Sequence, residues 1–157
     1  MSVLTTIHVA LSLIGIATGF LVIFQMIGGK KLGGLNAIFL LTTILTSVTG
    51  FFFPIAKLTP GLILGTISLP VLAIAVYALY AKKLAGAWRT TYVVTAVLAQ
   101  FFDVLVLVAQ SFQKIPALHA HAPTDDAAIV KICQLGALVL CILLGIFAAK
   151  NFKTAAS

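Results

Sequence analysis

The sequence predicts an all-α integral membrane bundle of five transmembrane helices. Of the 157 residues, 62% are hydrophobic and only 8% are charged, and the mean hydropathy is +1.21. Soluble domains average about 25% charged residues, so this chain has too few polar side chains to cover a surface in water. A lipid environment removes that requirement. We therefore expect residues 1–157 to form a single transmembrane domain in contact with the lipid bilayer.

Five apolar runs are long enough to cross a bilayer as helices, which takes about 20 residues each. They are residues 3–27, 35–53, 61–81, 90–112 and 128–149. Glycine, proline and lysine residues fill the breaks between the runs, as is typical of turns. The first run lacks the basic start, the short apolar stretch and the cleavage site of a signal peptide. We therefore expect it to be a retained helix.

The positively charged residues predict the orientation of the bundle. Seven of the ten fall at one set of helix ends, namely Lys30, Lys31, Lys82, Lys83, Arg89, Lys150 and Lys153. Because positively charged loops tend to stay in the cytoplasm, we expect the N-terminus outside and the C-terminus in the cytoplasm. Aromatic residues near the same boundary predict an interfacial belt of Tyr77, Tyr80, Trp88 and Tyr92.

Four of the five predicted helices carry a seam of small or hydroxylated residues at the helical repeat. The seams are His8, Ser12, Gly15, Thr18 and Gly19 in the first helix, Asn36, Thr43, Thr46, Ser47 and Gly50 in the second, Gly61, Gly65 and Ser68 in the third, and Gln134, Ala137, Cys141 and Gly145 in the fifth. Small residues let transmembrane helices approach closely. We expect these seams to face the interior of the bundle, chiefly as packing surfaces.

The fourth helix differs because its strongly polar residues all lie on one half. At 100° per residue they fall within about 80° of Asp103, and they are Tyr92, Thr95, Gln100, Gln110, Ser111 and Lys114. A charged side chain at the middle of a bilayer costs at least about 2.5–3.5 kcal/mol. This helix is therefore expected to be central in the bundle or to line a wet cavity.

These polar residues predict a candidate site in the outer half of the membrane. Asp103 is the only ionisable residue deep in an apolar run, roughly 15 Å from the outer end of its helix. The predicted intramembrane polar site comprises Asp103, Gln100, Gln110, His8, Gln134 and Ser47. Two hypotheses remain open. Either the site is an outward-facing cavity that binds a small ligand or passes protons, or a protonated Asp103 hydrogen-bonds to neighbouring helices and fixes their register.

The histidines suggest two further hypotheses. A haem held by two histidines would need His8 to face His119 or His121 across the porphyrin. A surface site for a divalent metal could instead use His119, His121, Asp125 and Asp126, which lie within eight residues and offer imidazole and carboxylate ligands. The alternative for this segment is an ordinary solvated loop.

The sequence contains no motif of a familiar enzyme class. It has no G-x-S-x-G, H-E-x-x-H or phosphate-binding loop, and its three acidic residues are few for a hydrolytic mechanism. The net charge of +7 comes from residues dispersed over helix ends, which does not indicate binding to nucleic acid. We expect a protein that is not an enzyme.

Several strings resemble a known group of proteins. They are Ser47-Val48-Thr49-Gly50-Phe51-Phe52-Phe53-Pro54, Lys57-Leu58-Thr59-Pro60, Pro116-Ala117-Leu118 and Ala122-Pro123-Thr124. They are similar to segments of small multi-pass proteins of the bacterial inner membrane, a group to which no activity is assigned. The resemblance spans roughly residues 1–150 and implies a location in the bacterial inner membrane.

Together these observations predict a non-enzymatic integral membrane protein. Its expected role is that of a small accessory subunit of a larger membrane complex, or of a binder of a small lipid-like or quinone-like ligand. The alternative is a small transporter or proton-conducting protein that uses Asp103, which would form a homo-oligomer. A haem-containing electron carrier is the third possibility.

Overall fold

The computed structural model describes residues 2–124 and 126–153, and it is all-α, with 79% of these residues in helices. The helices are α1 (Val3–Ile27), α2 (Gly34–Gly50), α3 (Pro60–Val76), α4 (Ala87–Lys114), α5 (Pro116–His119) and α6 (Ala128–Asn151). A π-helical turn, Tyr77–Ala81, extends α3. The short helix α5 lies in the segment that the sequence analysis treats as a loop.

Local chemistry explains where the helices begin and end. Thr59 caps α3 by accepting a hydrogen bond of 3.2 Å from the Leu62 N–H, and Pro60 takes the first helical position, where no N–H is needed. Helix α2 ends at Gly50, three residues before the predicted end at residue 53. The reason is Pro54, which has no N–H to bond to the Gly50 carbonyl oxygen and whose ring would clash with that group in a continued helix.

Among the described residues, four helices are long and apolar enough to cross a membrane. They are Val3–Ile27, Pro60–Ala81, Ala87–Lys114 and Ala128–Asn151. Helix α2, with 17 residues, is about 26 Å long and thus slightly shorter than the roughly 30 Å of a bilayer core. Large apolar side chains are exposed all around the bundle, as is expected of a surface that lipid covers. The protein is therefore a multi-pass helical membrane protein.

Helices α1 to α4 form a ring around the centre of the bundle. Each packs against the next in chain order, and α4 closes the ring against α1. Helix α6 packs on the outside of this ring, mainly against α1 and α4. It is the least buried of the long helices, and Val130, Cys141 and Ala148 are its buried residues.

A small cluster of Phe112, Ala122 and Val130 is buried at one end of the bundle, and the main packed core occupies the opposite half. Its members come from the C-terminal parts of α1, α3 and α6 and the N-terminal parts of α2 and α4, namely Val22, Ile23, Met26, Phe39, Leu40, Leu72, Ala75, Ala78, Tyr92, Val93, Ala96, Cys141 and Ala148. These parts meet at the end of the bundle that carries the Lys30–Lys31 and Lys82–Lys83 turns. At the other end, few residues are buried.

A buried polar contact ties two of the helices together within this core. The Tyr92 hydroxyl donates a hydrogen bond to Asn36 Oδ1, joining α4 to α2. Tyr92 is 0% exposed, so its predicted place in an interfacial aromatic belt was wrong: its hydroxyl finds a buried partner instead. Tyr77 and Tyr80 are exposed as predicted.

The turn between α3 and α4 is tightly built. Lys82 lies over the rings of Tyr77 and Trp88, with Nζ 5.5 Å and 5.7 Å from the ring centres. Lys83 and Leu84 adopt φ angles of 51° and 59°, in the left-handed region that side chains disfavour. Leu84 is nevertheless buried against the core, so apolar burial of this side chain holds the turn in place.

Candidate functional site: a cavity between four helices

A cavity of about 630 Å³ lies between α1, α2, α3 and α4, in the half of the bundle opposite the packed core. Its volume is within the range of small-molecule binding sites. The deepest residues, here called the cavity floor, are Ile16, Thr46, Ser68 and Asp103. The residues at the helix ends, here called the cavity mouth, are Thr5, Phe53, Thr59 and Lys114.

The cavity exists because small residues of α2 and α3 face the centre without filling it. Gly50, Gly61 and Gly65 all line the cavity. A Cβ atom placed on Gly61 or Gly65 would have no neighbour closer than 3.9 Å, which is ordinary van der Waals distance. The predicted small-residue seam of α3 thus faces inward, but it borders open space instead of a closely packed helix.

The walls combine apolar and hydroxyl side chains. Ile16, Leu62, Phe102 and Val106 supply hydrocarbon surface from three helices. The polar residues that line the cavity are Thr5, His8, Ser12, Thr46, Ser47, Thr59, Ser68, Asp103, Gln110, Ser111 and Lys114. An apolar cleft with a few placed polar groups is the usual composition of a small-ligand site.

The floor contains polar atoms with no partner in the protein. The Thr43 hydroxyl lies beside the Asp103 carboxyl group, yet neither Thr43 Oγ1 nor Asp103 Oδ2 has a hydrogen-bond partner among the described residues. Ser68, 2% exposed, also has an unpartnered hydroxyl. Each buried polar group left without a partner costs about 1–3 kcal/mol, so their concentration at one level needs an explanation.

Other hydroxyl groups in the bundle are satisfied by their own helices. Thr18, Thr42, Thr46 and Thr95 each donate to the carbonyl oxygen one turn earlier, at 2.6–2.8 Å. This is the usual arrangement for threonine in a membrane helix. Thr43 and Ser68 depart from it, and both lie at or directly beneath the cavity floor.

Gln100 closes the cavity from below and does not line it. Its Nε2 donates a hydrogen bond of 2.9 Å to the Ile16 carbonyl oxygen, and the residue is 0% exposed. Its Oε1 has no partner among the described residues. The structure therefore places this predicted site residue in the packed layer one helical turn beneath Asp103.

His8 lines the cavity near its mouth, as predicted. Its Nδ1 shares a hydrogen bond of 2.9 Å with Thr49 Oγ1, and its ring meets the Phe53 ring edge-on at 5.1 Å. These contacts fix the imidazole against the end of α2. Ser47 and Gln110 also line the cavity, so the structure brings together four of the six predicted residues: Asp103, His8, Ser47 and Gln110.

Gln134 lies elsewhere. It borders a separate groove of about 450 Å³ on the outside of the ring, between α3, α4 and α6, which it shares with Gln110. The helical repeat predicts correctly that Gln134 faces the bundle. It could not predict that α6 packs outside the ring and so contributes nothing to the cavity.

The histidines and aspartates after α4 do not assemble into a site in the part of the chain that the structure describes. His119, His121 and Asp126 are exposed, and Asp125 lies outside the described residues. No group of three His, Cys, Asp or Glu side chains within residues 2–124 and 126–153 could hold a metal ion. Neither His119 nor His121 lines the cavity that His8 lines.

Sequence reasoning missed Ser68 and Thr43 as site residues and assigned both to packing seams. The signal for Ser68 was its spacing from Gly61 and Gly65, which places all three on one face of α3. What the spacing cannot reveal is that the neighbouring helix stands back from this face.

Comparisons of the chain with protein families, with curated proteins and with solved structures give no significant match.

Proposed function

We propose that this chain is a non-enzymatic protein of the bacterial inner membrane that binds a small lipid-like ligand in the cavity between α1 and α4. In this proposal α2 also crosses the bilayer, giving five crossings, with the N-terminus and the cavity mouth outside. The excess of lysine and arginine at the packed end of the bundle supports this orientation. The apolar Phe51, Phe52 and Phe53 after α2 extend its hydrophobic length.

The observation that carries the proposal is the pairing of apolar walls with unsatisfied polar atoms at the floor. A cavity that was only a packing defect between helices would be lined by apolar residues alone, or its polar groups would be paired with each other. Here Asp103 Oδ2 and Ser68 Oγ remain without partners while hydrocarbon side chains surround them. An amphipathic ligand would satisfy both kinds of surface at once.

The packed layer at the inner end of the cavity supports ligand binding in preference to transport through the membrane. Beneath the floor, Gln100 and Phe39 fill the space next to Gly19 so tightly that a Cβ there would lie 2.0 Å from Gln100 Oε1. Val22, Ile23 and Leu72, all 0% exposed, continue this packed layer. A molecule that entered from the mouth would therefore stop at Asp103.

Co-purification with a matched pair of variants tests the proposal. Gly65→Leu fills the cavity, whereas Gly136→Leu makes the same change at an exposed position of α6 with nothing within 4 Å. We expect mass spectrometry to find one small amphipathic molecule bound to the wild type and to Gly136→Leu. Gly65→Leu should lose it. Equal retention by all three proteins, or no bound molecule in any of them, would count against the proposal.

A proton-conducting or transport role is the second candidate, and the buried Asp103 oxygen at the cavity floor favours it. Such a role requires the packed layer below Asp103 to open during turnover. Proton flux into proteoliposomes should then be abolished in Asp103→Asn and unchanged in Asp126→Asn, which removes an exposed carboxylate. Flux indistinguishable from that of empty liposomes would exclude this candidate.

A further inference from the structure

We propose that the ligand of this cavity is an amphipathic amine, whose protonated amino group binds at Asp103 and whose hydrocarbon part lies along the cavity walls. The inference rests on the proposed function, since it names the chemical class of the molecule that the cavity holds. It is carried by the positions of three oxygen atoms at and above the floor and by the absence of a positive charge near them.

Three oxygen-bearing side chains from three different helices face the deep part of the cavity. Asp103 is on α4, Ser68 is on α3 and Ser47 is on α2, and all three line the cavity. Asp103 Oδ2 and Ser68 Oγ are buried without partners among the described residues. The Ser47 backbone oxygen lies next to Gly65, one helical turn from Ser68, which places Ser47 close to the same level.

The chemistry of these atoms selects a donor that carries a positive charge. An ionised carboxylate only accepts hydrogen bonds, whereas a primary ammonium group donates three and accepts none. An ammonium group bound at Asp103 would keep two further N–H groups for hydroxyl acceptors such as the serines that line the same part of the cavity. Hydrogen bonds between charged partners are about twice as strong as neutral ones, so a neutral alcohol would gain less at this site.

Asp103 has no positively charged neighbour in the described part of the chain that could take the place of such a ligand. The nearest lysine along its helix is Lys114, eleven residues away at the cavity mouth, or about 16 Å along the helix axis. Lys114 is therefore too far from Asp103 to form an ion pair with it.

The remainder of the cavity suits the hydrocarbon part of the molecule. Ile16, Leu62, Phe102 and Val106 border the space between the floor and the mouth. The roughly 16 Å of α4 between Asp103 and Lys114 leaves room along the walls for an extended alkyl chain. Burying the chain contributes about 0.8 kcal/mol per methylene group.

Calorimetric titration of the purified protein in a nonionic detergent tests the inference with two probes of equal chain length, decylamine and decanol. Heats of the same titrations into detergent alone are subtracted. We expect decylamine to bind roughly tenfold more tightly than decanol, or better. Asp103→Asn should abolish this preference, and Ser68→Ala should reduce it. Asp126→Asn, the same chemical change outside the cavity, should retain it.

The possible outcomes distinguish the proposed binding site from the proposed class of ligand. If both probes bind equally well to the wild type and Gly65→Leu abolishes both, the cavity is a binding site but the amine assignment is wrong. If neither probe binds, both proposals fail. A preference for decylamine that survives in Asp103→Asn would show that the amino group is recognised elsewhere. Circular dichroism checks that each variant retains its helices.

Discussion

Gly19 shows how one missing side chain determines the depth of the cavity. Because this residue has no Cβ, the Gln100 side chain can lie across α1 and donate to the Ile16 carbonyl oxygen. Gln100 then fills the space beneath Asp103. A larger residue at this position would push the amide group toward the cavity or break its only hydrogen bond.

Gly19→Ala should therefore destabilise the protein. The new methyl group would clash with Gln100 Oε1 and with Phe39 Cε2, so the Gln100 side chain would have to move and would lose its hydrogen bond to the Ile16 carbonyl oxygen. We expect a loss of about 1–3 kcal/mol in the free energy of unfolding, as for other overpacked sites. Thermal unfolding in detergent measures this loss.

The matched control is Gly136→Ala on the exposed face of α6. A Cβ there meets nothing within 4 Å, and alanine favours a helix over glycine by about 1 kcal/mol. Its unfolding temperature should stay the same or rise. A similar decrease in both variants would show that the contact between Gly19 and Gln100 is not the cause.

The hydrogen bond between Tyr92 and Asn36 gives a second test at the level of single residues. Tyr92→Phe removes the donor and leaves Asn36 Oδ1 buried without it, which should cost about 1–3 kcal/mol in the free energy of unfolding. Tyr80→Phe, at a position that is exposed, should change stability by less than about 0.5 kcal/mol. Equal effects would contradict the buried hydrogen bond.

The sequence predicts the composition of the site better than its shape. Asp103, His8, Ser47 and Gln110 are predictable because polar side chains in a membrane helix must avoid lipid, and the helical repeat shows which side they face. Gln100 and Gln134 lie on the predicted sides of their helices. Whether an inward-facing residue borders a cavity depends on the distance to the next helix. The helical repeat of one segment gives no information about that distance.

At the scale of helices and turns, the ends of the helices are largely predictable. Pro54 and Pro60 mark breaks because proline restricts the backbone around it, and Gly33 marks one because the conformational freedom of glycine disfavours a helix. The π-helical turn at Tyr77–Ala81 and the left-handed residues after it were not predicted. They arise because Leu84 reaches back into the core, and this tertiary contact overrides the local preference of the backbone.

The turn between α3 and α4 yields a prediction that separates backbone strain from side-chain contacts. Lys83→Gly should leave stability unchanged or raise it by up to about 1 kcal/mol, because glycine tolerates the φ angle of 51° found there at no steric cost. Lys82→Gly should be destabilising. Its backbone has a φ of −93°, and the change removes the contact with Tyr77 and Trp88.

Thermal unfolding of both variants provides the comparison, and each loses one lysine, so net charge is matched. The order of their unfolding temperatures is the informative result. If Lys83→Gly proves as destabilising as Lys82→Gly, the strain at residue 83 does not limit the stability of this turn.

At the scale of the whole molecule, the bundle is divided into a packed half and an open half. The packed half brings the large apolar residues of α1, α3 and α4 together near the lysine-rich turns. The open half brings together their small and hydroxylated residues. Both sets lie along the same helices, so the chain separates a structural layer from a candidate binding layer by depth in the membrane.

In the proposed orientation, the cavity opens to the outside and ends at Ser68. Ser68 and Leu72 are one helical turn apart on α3, at 2% and 0% exposure, and cysteine at each position can be compared in a background with Cys133 and Cys141 replaced by alanine. The measurement is modification by a membrane-impermeant thiol reagent added to either side of the membrane. We predict that Ser68→Cys reacts from the outside only, whereas Leu72→Cys reacts from neither side. Reaction of Ser68→Cys from the cytoplasmic side, or equal behaviour of the two positions, would contradict the account.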